Sequence, residues 1–283
     1  MSEMKTAIKL GLIGGNIAAS RAPYLHGLAG KQAGIDVTYD LLTPAELGKD
    51  FDAVFADCLA QGYRGINITY PYKELAAAKV RVDDPSVRAI GAVNTVVFEA
   101  DGPRGFNTDY SGFVAAYRAG FGDTPTGPVF QIGAGGVGKA VAFGLLTLGT
   151  RDIRLIDRDG PRAAALADQL RAAASDARIA VTDDPAEGAR GASGLVNCTP
   201  VGMVGSVGTP LPAERMVGAR WAFDAVYTPV DTQFLGDAAA RGLTVMSGYE
   251  LFFHQGIDCW KIFSGHTPDP ASLRAGLQAL ADR

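Results

Sequence analysis

Short apolar runs alternate with longer segments of helical periodicity along the chain, and this order predicts an α/β architecture. Residues 8–13 (IKLGLI) read as a strand, Pro23 to Gly34 as a helix and residues 37–42 (VTYDLL) as a second strand. That strand feeds Thr43-Pro44-Ala45-Glu46, a capping box with Thr43 as N-cap, Pro44 at the first helical position and Glu46 reaching back. A helix is therefore expected from there to near Gly62. A strand over residues 63–69 (YRGINIT) and a helix after Pro71 come next, and VNTVVF and RGFNTD around Asp101-Gly102 read as a hairpin. The first hundred residues are thus α/β with one antiparallel excursion.

The segment Gly122-Asp-Thr-Pro-Thr-Gly-Pro128 has two glycines and two prolines and marks a candidate boundary. Beyond it the alternation restarts as VFQIG, a helix to Gly149, IRLID, a helix through Leu170, RIAV, GLVNC, WAFDAV, a helix to Arg241 and LTVM. Repeated strand–helix units of this kind predict a parallel, doubly wound sheet with right-handed crossovers. Tyr249 to Arg283 is helical with no further strand to join, and is expected to pack back on the first half.

Composition narrows the chemistry. With 283 residues, 47% of them hydrophobic, the chain is long enough for two domains with a sizeable core. A net charge of −4 gives no electrostatic reason to expect nucleic acid or an anionic membrane as a partner. Cys58, Cys198 and Cys259 are widely spaced and odd in number, which fits a reducing compartment and argues against both a disulfide framework and structural zinc. MSEMKTAIKLGLIGG runs directly into a strand-like segment, and no segment is apolar for eighteen residues. A cytoplasmic protein is expected.

The strongest single motif is Gly133-Ala134-Gly135-Gly136-Val137-Gly138, a G-x-G-x-x-G directly after a strand and opening a helix. The first glycine permits the tight turn, the second lets backbone approach a pyrophosphate, and the third allows close helix–sheet packing. The helix N-terminus then faces the anion. The next strand ends in Asp157, at the spacing expected of an acid that binds the adenosine ribose. A carboxylate there repels a 2′-phosphate, so NAD is favoured. Arg158 keeps NADP open, because an arginine beside that acid can bind the phosphate or stack on adenine.

The first half is dense in polar candidates. Alternation on a strand puts Asn67 and Thr69 on one face and carries them to its C-terminal end, the edge at which open α/β sheets bind ligands. Lys73 falls in the first turn of the following helix, where a cation opposes the macrodipole and is a poor choice for stability alone. Asp109 on its own reads as a helix N-cap. Asn94, heading an apolar strand, is either a turn former or a side chain aimed into a cleft.

Several blocks now stand in one order: Ser20-Arg21-Ala22-Pro23, Asn67-Ile-Thr69-Tyr-Pro71-Tyr-Lys73, Gly91-Ala-Val-Asn94-Thr95, Asn107-Thr108-Asp109, the Gly133 loop, Asn197-Cys-Thr199-Pro-Val-Gly202-Met203, Asp224-Ala-Val-Tyr227-Thr-Pro229 and His254-Gln255. Together they resemble the shikimate dehydrogenase family over nearly the whole chain, and within it the NAD-dependent quinate/shikimate branch. The resemblance implies an N-terminal α/β substrate domain (1–110), a Rossmann-type NAD(P)-binding domain (111–248) and C-terminal helices (249–283) that return to the first. It implies an oxidoreductase that interconverts 3-dehydroshikimate and shikimate, and also 3-dehydroquinate and quinate, within the pathway to the aromatic amino acids. Lys73 and Asp109 would form the catalytic dyad at the reacting hydroxyl. Ser20, Thr69, Asn94, Tyr227 and Gln255 would contact substrate, while Thr199, Val201, Ala225 and Gly248 would lie along the cofactor. A small hydroxylated cyclic carboxylate is then the partner, and the chain a monomer or homodimer.

The chain departs from the family pattern at Ala22, where a second serine usually bonds the substrate carboxylate. The lost hydroxyl weakens the case for shikimate, while the space it opens could admit quinate or another hydroxylated cyclohexane carboxylate. Tyr70 and Tyr72 also stand where other residues are common. A non-catalytic metabolite sensor of the same fold is the competing reading, disfavoured by intact Lys73, Asp109 and Asp157 and by the lack of a basic extension. A folate-type or tRNA-linked reductase is disfavoured by the Asn-Thr-Asp block and Gln255. His26, His254 and His266 have no metal-binding spacing. Trp221, Trp260 and Phe252-Phe253 read as core or interface, and Cys198 as a small buried residue rather than a reactive thiol.

Overall fold

The protein is described by a computed structural model over residues 6–281. Met1–Lys5, the start of the segment read as leading into the first strand, lie outside the described residues, as do Asp282 and Arg283 of the helical C-terminus. The chain forms two compact units, one from residues up to Thr108 together with Gln255 onward, the other from Asp109–His254.

In the first unit β1 (Ala7–Ile13), α1 (Ala22–Ala33), β2 (Asp36–Leu42), α2 (Phe51–Ala60), β3 (Gly65–Ile68), α3 (Lys73–Ala77), α4 (Pro85–Ile90), β4 (Thr95–Glu99) and β5 (Gly102–Phe106) follow in order. The sheet runs β2-β1-β3-β4-β5, with β1, β2 and β3 parallel and the β4–β5 hairpin antiparallel. α1 takes Pro23 in its first turn and ends on Gly34 at φ +69°, a left-handed conformation that glycine adopts without a Cβ penalty. β3 is buried along its whole length, as a strand between two neighbours in a covered sheet must be.

The capping box at Thr43 does not start a long helix. Leu47 N–H bonds Thr43 O at 3.1 Å and Lys49 N–H bonds Pro44 O at 3.1 Å, closing a single turn that stops at Gly48, φ +63°. Asp50 then caps α2 instead, its carboxylate accepting the Ala53 amide at 2.8 Å. A glycine in the left-handed region and a better-placed cap seven residues on outweigh the local signature.

α5 (Thr108–Phe121) leads into the second unit. There β6 (Val129–Ile132), α6 (Gly136–Thr147), β7 (Asp152–Ile156), α7 (Gly160–Ala173), β8 (Arg178–Val181), α8 (Pro185–Ala189), β9 (Gly194–Asn197), β10 (Trp221–Asp224), α9 (Gln233–Ala240) and β11 (Thr244–Met246) follow. The six strands are parallel in the order β11-β10-β9-β6-β7-β8. From β6 the chain proceeds to β7 and β8 on one side and returns to β9 on the other, so the order reverses between β6 and β9. Ligands bind such doubly wound sheets at the C-terminal edge of this switch point. The core between β6, β9, β10 and α9 is apolar, with Phe130, Leu195, Ala222 and Phe234 at its centre. Residues 122–128 fall inside this unit, where the Trp221 indole N–H donates to Thr126 O at 3.0 Å.

α10 (Gly248–Ser264) and α11 (Pro270–Ala281) complete the chain. Gly65 admits the ring of Phe263, whose Cε1 lies 2.5 Å from where a Cβ would stand, so α10 rests directly on β3. Gly256 likewise faces Leu25, and α11 packs on α1.

Candidate functional site

In the second unit each glycine of the loop after β6 has its own reason. Gly133 has φ +102°, and a Cβ on it would stand 2.7 Å from the Cys198 carbonyl; one on Gly138 would stand 2.3 Å from Gly133 O. Gly135 is different: its φ of −74° suits any residue, and a Cβ there would meet nothing within 4 Å. The protein itself does not require that glycine, whereas a pyrophosphate lying against the backbone would. The residues present therefore fit a dinucleotide. The N–H groups of Gly136, Val137 and Gly138 open α6 ahead of its first i→i−4 bond, from Lys139 to Gly135 O, and remain free for an anion. Beneath the loop, the buried Gln131 amide donates to Gly133 O and Gly138 O, both at 2.9 Å, and clasps its two ends.

Asp157, at the end of β7, accepts the Ala134 amide with one oxygen and the Asp159 amide with the other. Arg158 beside it is exposed. Across the switch point Thr199 and Val201 follow β9, and Ala225 follows β10. Gly248 approaches Ala225 O so closely that a Cβ would stand 2.3 Å away. Tyr227 is half-buried and stacks on Phe252 at 5.4 Å. Burial, followed by the charges of Asp224 and Asp109, pushes the Cys198 thiol well above its usual range, so it stays protonated. Asp109 is buried in the first turn of α5, two positions past the N-cap position; Asn107 precedes the helix, and its amide donates to Ala92 O at 2.9 Å.

The first unit gathers its polar residues into one buried cluster. Asn67 and Thr95 stand opposite each other on β3 and β4, and the Asn67 amide donates to Thr95 Oγ1 at 3.1 Å and to Cys259 Sγ at 3.1 Å. The Asn67 carbonyl oxygen accepts the Tyr39 hydroxyl at 2.8 Å. Asn94 Oδ1 accepts the Thr108 amide at 2.7 Å and the Thr95 and Thr108 hydroxyls at 3.1 Å. These bonds place the Asn94 oxygen inward, which leaves its Nδ2 as the donor for anything outside the cluster. Gln255 Oε1 accepts from Thr108 Oγ1 at 3.3 Å. Under the cluster, burial lowers the His26 imidazole to about 3, so the ring that stacks on Tyr39 is neutral.

The structure thus brings Asn67, Asn94 and Gln255 into one network. Lys73 is buried at the first position of α3, and its carbonyl accepts the Val93 amide at 2.9 Å, next to Asn94 in sequence. Thr69 is half-buried just beyond β3, its amide donating to Ile13 O at 2.9 Å. Ser20 stands apart from that network: its hydroxyl accepts the amide of Ala22, the first residue of α1, at 3.3 Å. The Tyr70–Pro71 and Thr228–Pro229 peptide bonds are cis.

Sequence reasoning assigned no role to Thr95, Thr108, Gln131, Cys259, Asn197 or Asp224, which hold these groups in place. For Gln131, Asn197 and Asp224 a signal exists: each is a polar side chain within or ending an otherwise apolar parallel strand, where only a specific partner makes it tolerable. Among the described residues no group of three His, Cys, Asp or Glu side chains could hold a metal ion, and no helix is long and apolar enough to cross a membrane.

Residues 12–96 match the family of shikimate dehydrogenase substrate binding domains. A quinate/shikimate dehydrogenase (NAD(+)) of Corynebacterium efficiens is 38% identical over 284 residues, covering 97% of this chain and 99% of that protein. A shikimate dehydrogenase (NADP(+)) of Pseudarthrobacter chlorophenolicus is 36% identical, covering 97% and 96%. Among solved structures, the quinate dehydrogenase of Corynebacterium glutamicum in complex with NAD superposes with a TM-score of 0.90 at 33% identity, covering 97% of this chain and 99% of that one.

Proposed function

This chain belongs to the shikimate dehydrogenase family, and we propose that it is an NAD(P)-dependent oxidoreductase that interconverts shikimate and quinate with their 3-keto forms, NAD being the preferred cofactor. The observation that carries this reading is Gly135, which no neighbouring atom requires and which leaves the backbone bare at the N-terminus of α6, where a pyrophosphate can approach, in a loop whose neighbouring acid is Asp157.

The dinucleotide, when bound, supplies a hydride acceptor for oxidation and a donor for reduction. Its pyrophosphate would be held by Gly133, Ala134, Gly135, Gly136, Val137 and Gly138, its adenosine ribose by Asp157 with Arg158 at the rim, and the remainder by Thr199, Val201, Ala225 and Gly248. Oxidation removes a hydride from the carbinol carbon and a proton from its hydroxyl, and leaves a ketone. Lys73 and Asp109 are assigned that proton. In the reducing direction negative charge grows on the substrate oxygen, and a lysine ammonium both stabilises it and protonates it.

Asn94 donates to the ring hydroxyls through the Nδ2 that its inward oxygen leaves available. Gln255, Thr69 and Tyr227 complete the hydroxyl contacts, Asn67 backs them from within the buried cluster, and Ser20 takes the carboxylate. Ala22 gives that carboxylate no hydroxyl and gives the ring more room, which favours quinate, with its additional hydroxyl, relative to an enzyme with serine there. The residues named all come from one chain, so a monomer or a homodimer serves, in the cytoplasm, without nucleic acid or membrane.

Product analysis tests the proposal. Incubation with NAD and shikimate, or NAD and quinate, is expected to give the 3-keto acid and NADH in equal amounts. Binding of either acid without turnover would instead identify a metabolite sensor.

A further inference from the structure

Asp224 ends β10 fully buried, and its side chain bonds the end of β9, the turn after β10 and the N-cap of α9, all at the C-terminal edge of the sheet. Its Oδ1 accepts the Asn197 amide at 2.9 Å and the Val226 backbone amide at 3.0 Å, and its Oδ2 accepts the Thr232 hydroxyl at 2.6 Å. Thr232 in turn caps α9 by accepting the Leu235 amide. Asn197, paired with Asp224 across β9 and β10, passes the constraint on. Its Oδ1 accepts both the backbone amide of Thr199, at 3.0 Å, and its hydroxyl, at 2.7 Å. Its Nδ2 also holds Val201 O at 3.1 Å. The Gly248 amide donates to Val226 O at 3.3 Å.

We propose that Asp224, acting through Asn197, is a positioning residue for the half of the dinucleotide remote from Asp157. One buried carboxylate ties together the segments that carry Thr199, Val201, Ala225 and Gly248: through Asn197 it holds Thr199 and Val201, and through the Val226 amide it fixes the turn between Ala225, whose own amide donates to Asn197 O at 2.8 Å, and Gly248 at the start of α10. The inference rests on the assignment of those four residues to the cofactor. A buried carboxylate is costly to ionise, and burial pushes Asp224 up to about 6 even with three hydrogen bonds opposing it. A core in need of stability alone would be better served by an apolar residue at this position.

The test separates the two halves of the cofactor. AMP engages the Asp157 side of the switch point, whereas NAD reaches across it. For Asp224→Ala, the dissociation constant for NAD is expected to rise roughly 10- to 100-fold, the scale of hydrogen bonds to a charged group, with that for AMP changed by less than about threefold. Asp224→Asn keeps one oxygen for Asn197 and Val226 and turns its amide to the Thr232 hydroxyl, so it is expected to restore most of the NAD affinity. If Asp224→Ala does not fold, Asn197→Leu leaves the carboxylate its other two partners and is expected to show the same split between NAD and AMP. Equal losses for NAD and AMP, or no loss for NAD, would overturn the proposal while leaving the family function standing. A wild-type protein that binds AMP but neither NAD nor NADP would overturn both.

Discussion

The Asp157 carboxylate accepts the Ala134 amide at 2.7 Å, so the acid expected to bind the adenosine ribose also shapes the loop expected to bind the pyrophosphate. One side chain then serves two parts of the same ligand. Asp157→Ala is expected to weaken NAD binding roughly 10- to 100-fold, the scale of hydrogen bonds to a charged group. NADP should suffer less, because the repulsion of its 2′-phosphate disappears with the carboxylate. The ratio of kcat/KM for the two cofactors measures this directly; an unchanged ratio would place the ribose elsewhere.

Lys73 is buried at the start of α3, where a cation gains nothing from the helix dipole. Lys73→Ala is expected to lower kcat by roughly two to four orders of magnitude, the range of general acid–base catalysis. Binding of NADH, followed by its fluorescence, should be preserved. Near-normal turnover would remove Lys73 from the proton relay.

Ala22 opens α1 with only its backbone amide engaged by Ser20. Ala22→Ser adds a hydroxyl for the substrate carboxylate and takes away space. The KM for shikimate is expected to fall about tenfold, the lower end of what a hydrogen bond to a charged group contributes. The KM for quinate should fall less or rise. An unchanged KM for shikimate would mean that this turn does not meet the carboxylate.

Asp224 gives the fold a pH signature of unusual sign. Its folded value is raised, to about 6 from 3.8, so the folded protein holds this proton more tightly than the unfolded chain. The associated stability is fully present below about pH 4 and is lost as pH rises through about 6, an effect on the order of 2–3 kcal/mol. Other carboxylates titrate in the same window, so the measurement is a difference. Urea unfolding of wild type and Asp224→Asn from pH 4 to 8 should show the variant gaining relative stability as pH rises. A difference that stays flat would mean that the carboxyl titrates alike in both states.

The alternating pattern made both sheets legible, because strands buried on both faces and helices of ordinary length leave strong periodic signals. GINI, VFQI, GLVN and WAFD all became strands. The helix expected from Thr43 failed because a capping signature is local, whereas Gly48 and Asp50 together decide where the chain can turn and start again. The site divides the same way. Gly133, Gly138 and Asp157 could be picked out because their spacing follows from the geometry of a strand–turn–helix unit. Thr95, Thr108 and Cys259 could not, since their hydrogen bonds join positions far apart in the chain, such as Thr95 and Cys259 at 3.1 Å. No local pattern encodes such a meeting.

Steady-state kinetics with the four combinations of shikimate or quinate and NAD or NADP, followed by absorbance of the reduced nicotinamide, tests the central claim most directly. Turnover of at least one of the two acids is expected, with kcat/KM higher for NAD than for NADP. No reduction of either cofactor by either acid would contradict the assignment of this chain as a shikimate/quinate dehydrogenase.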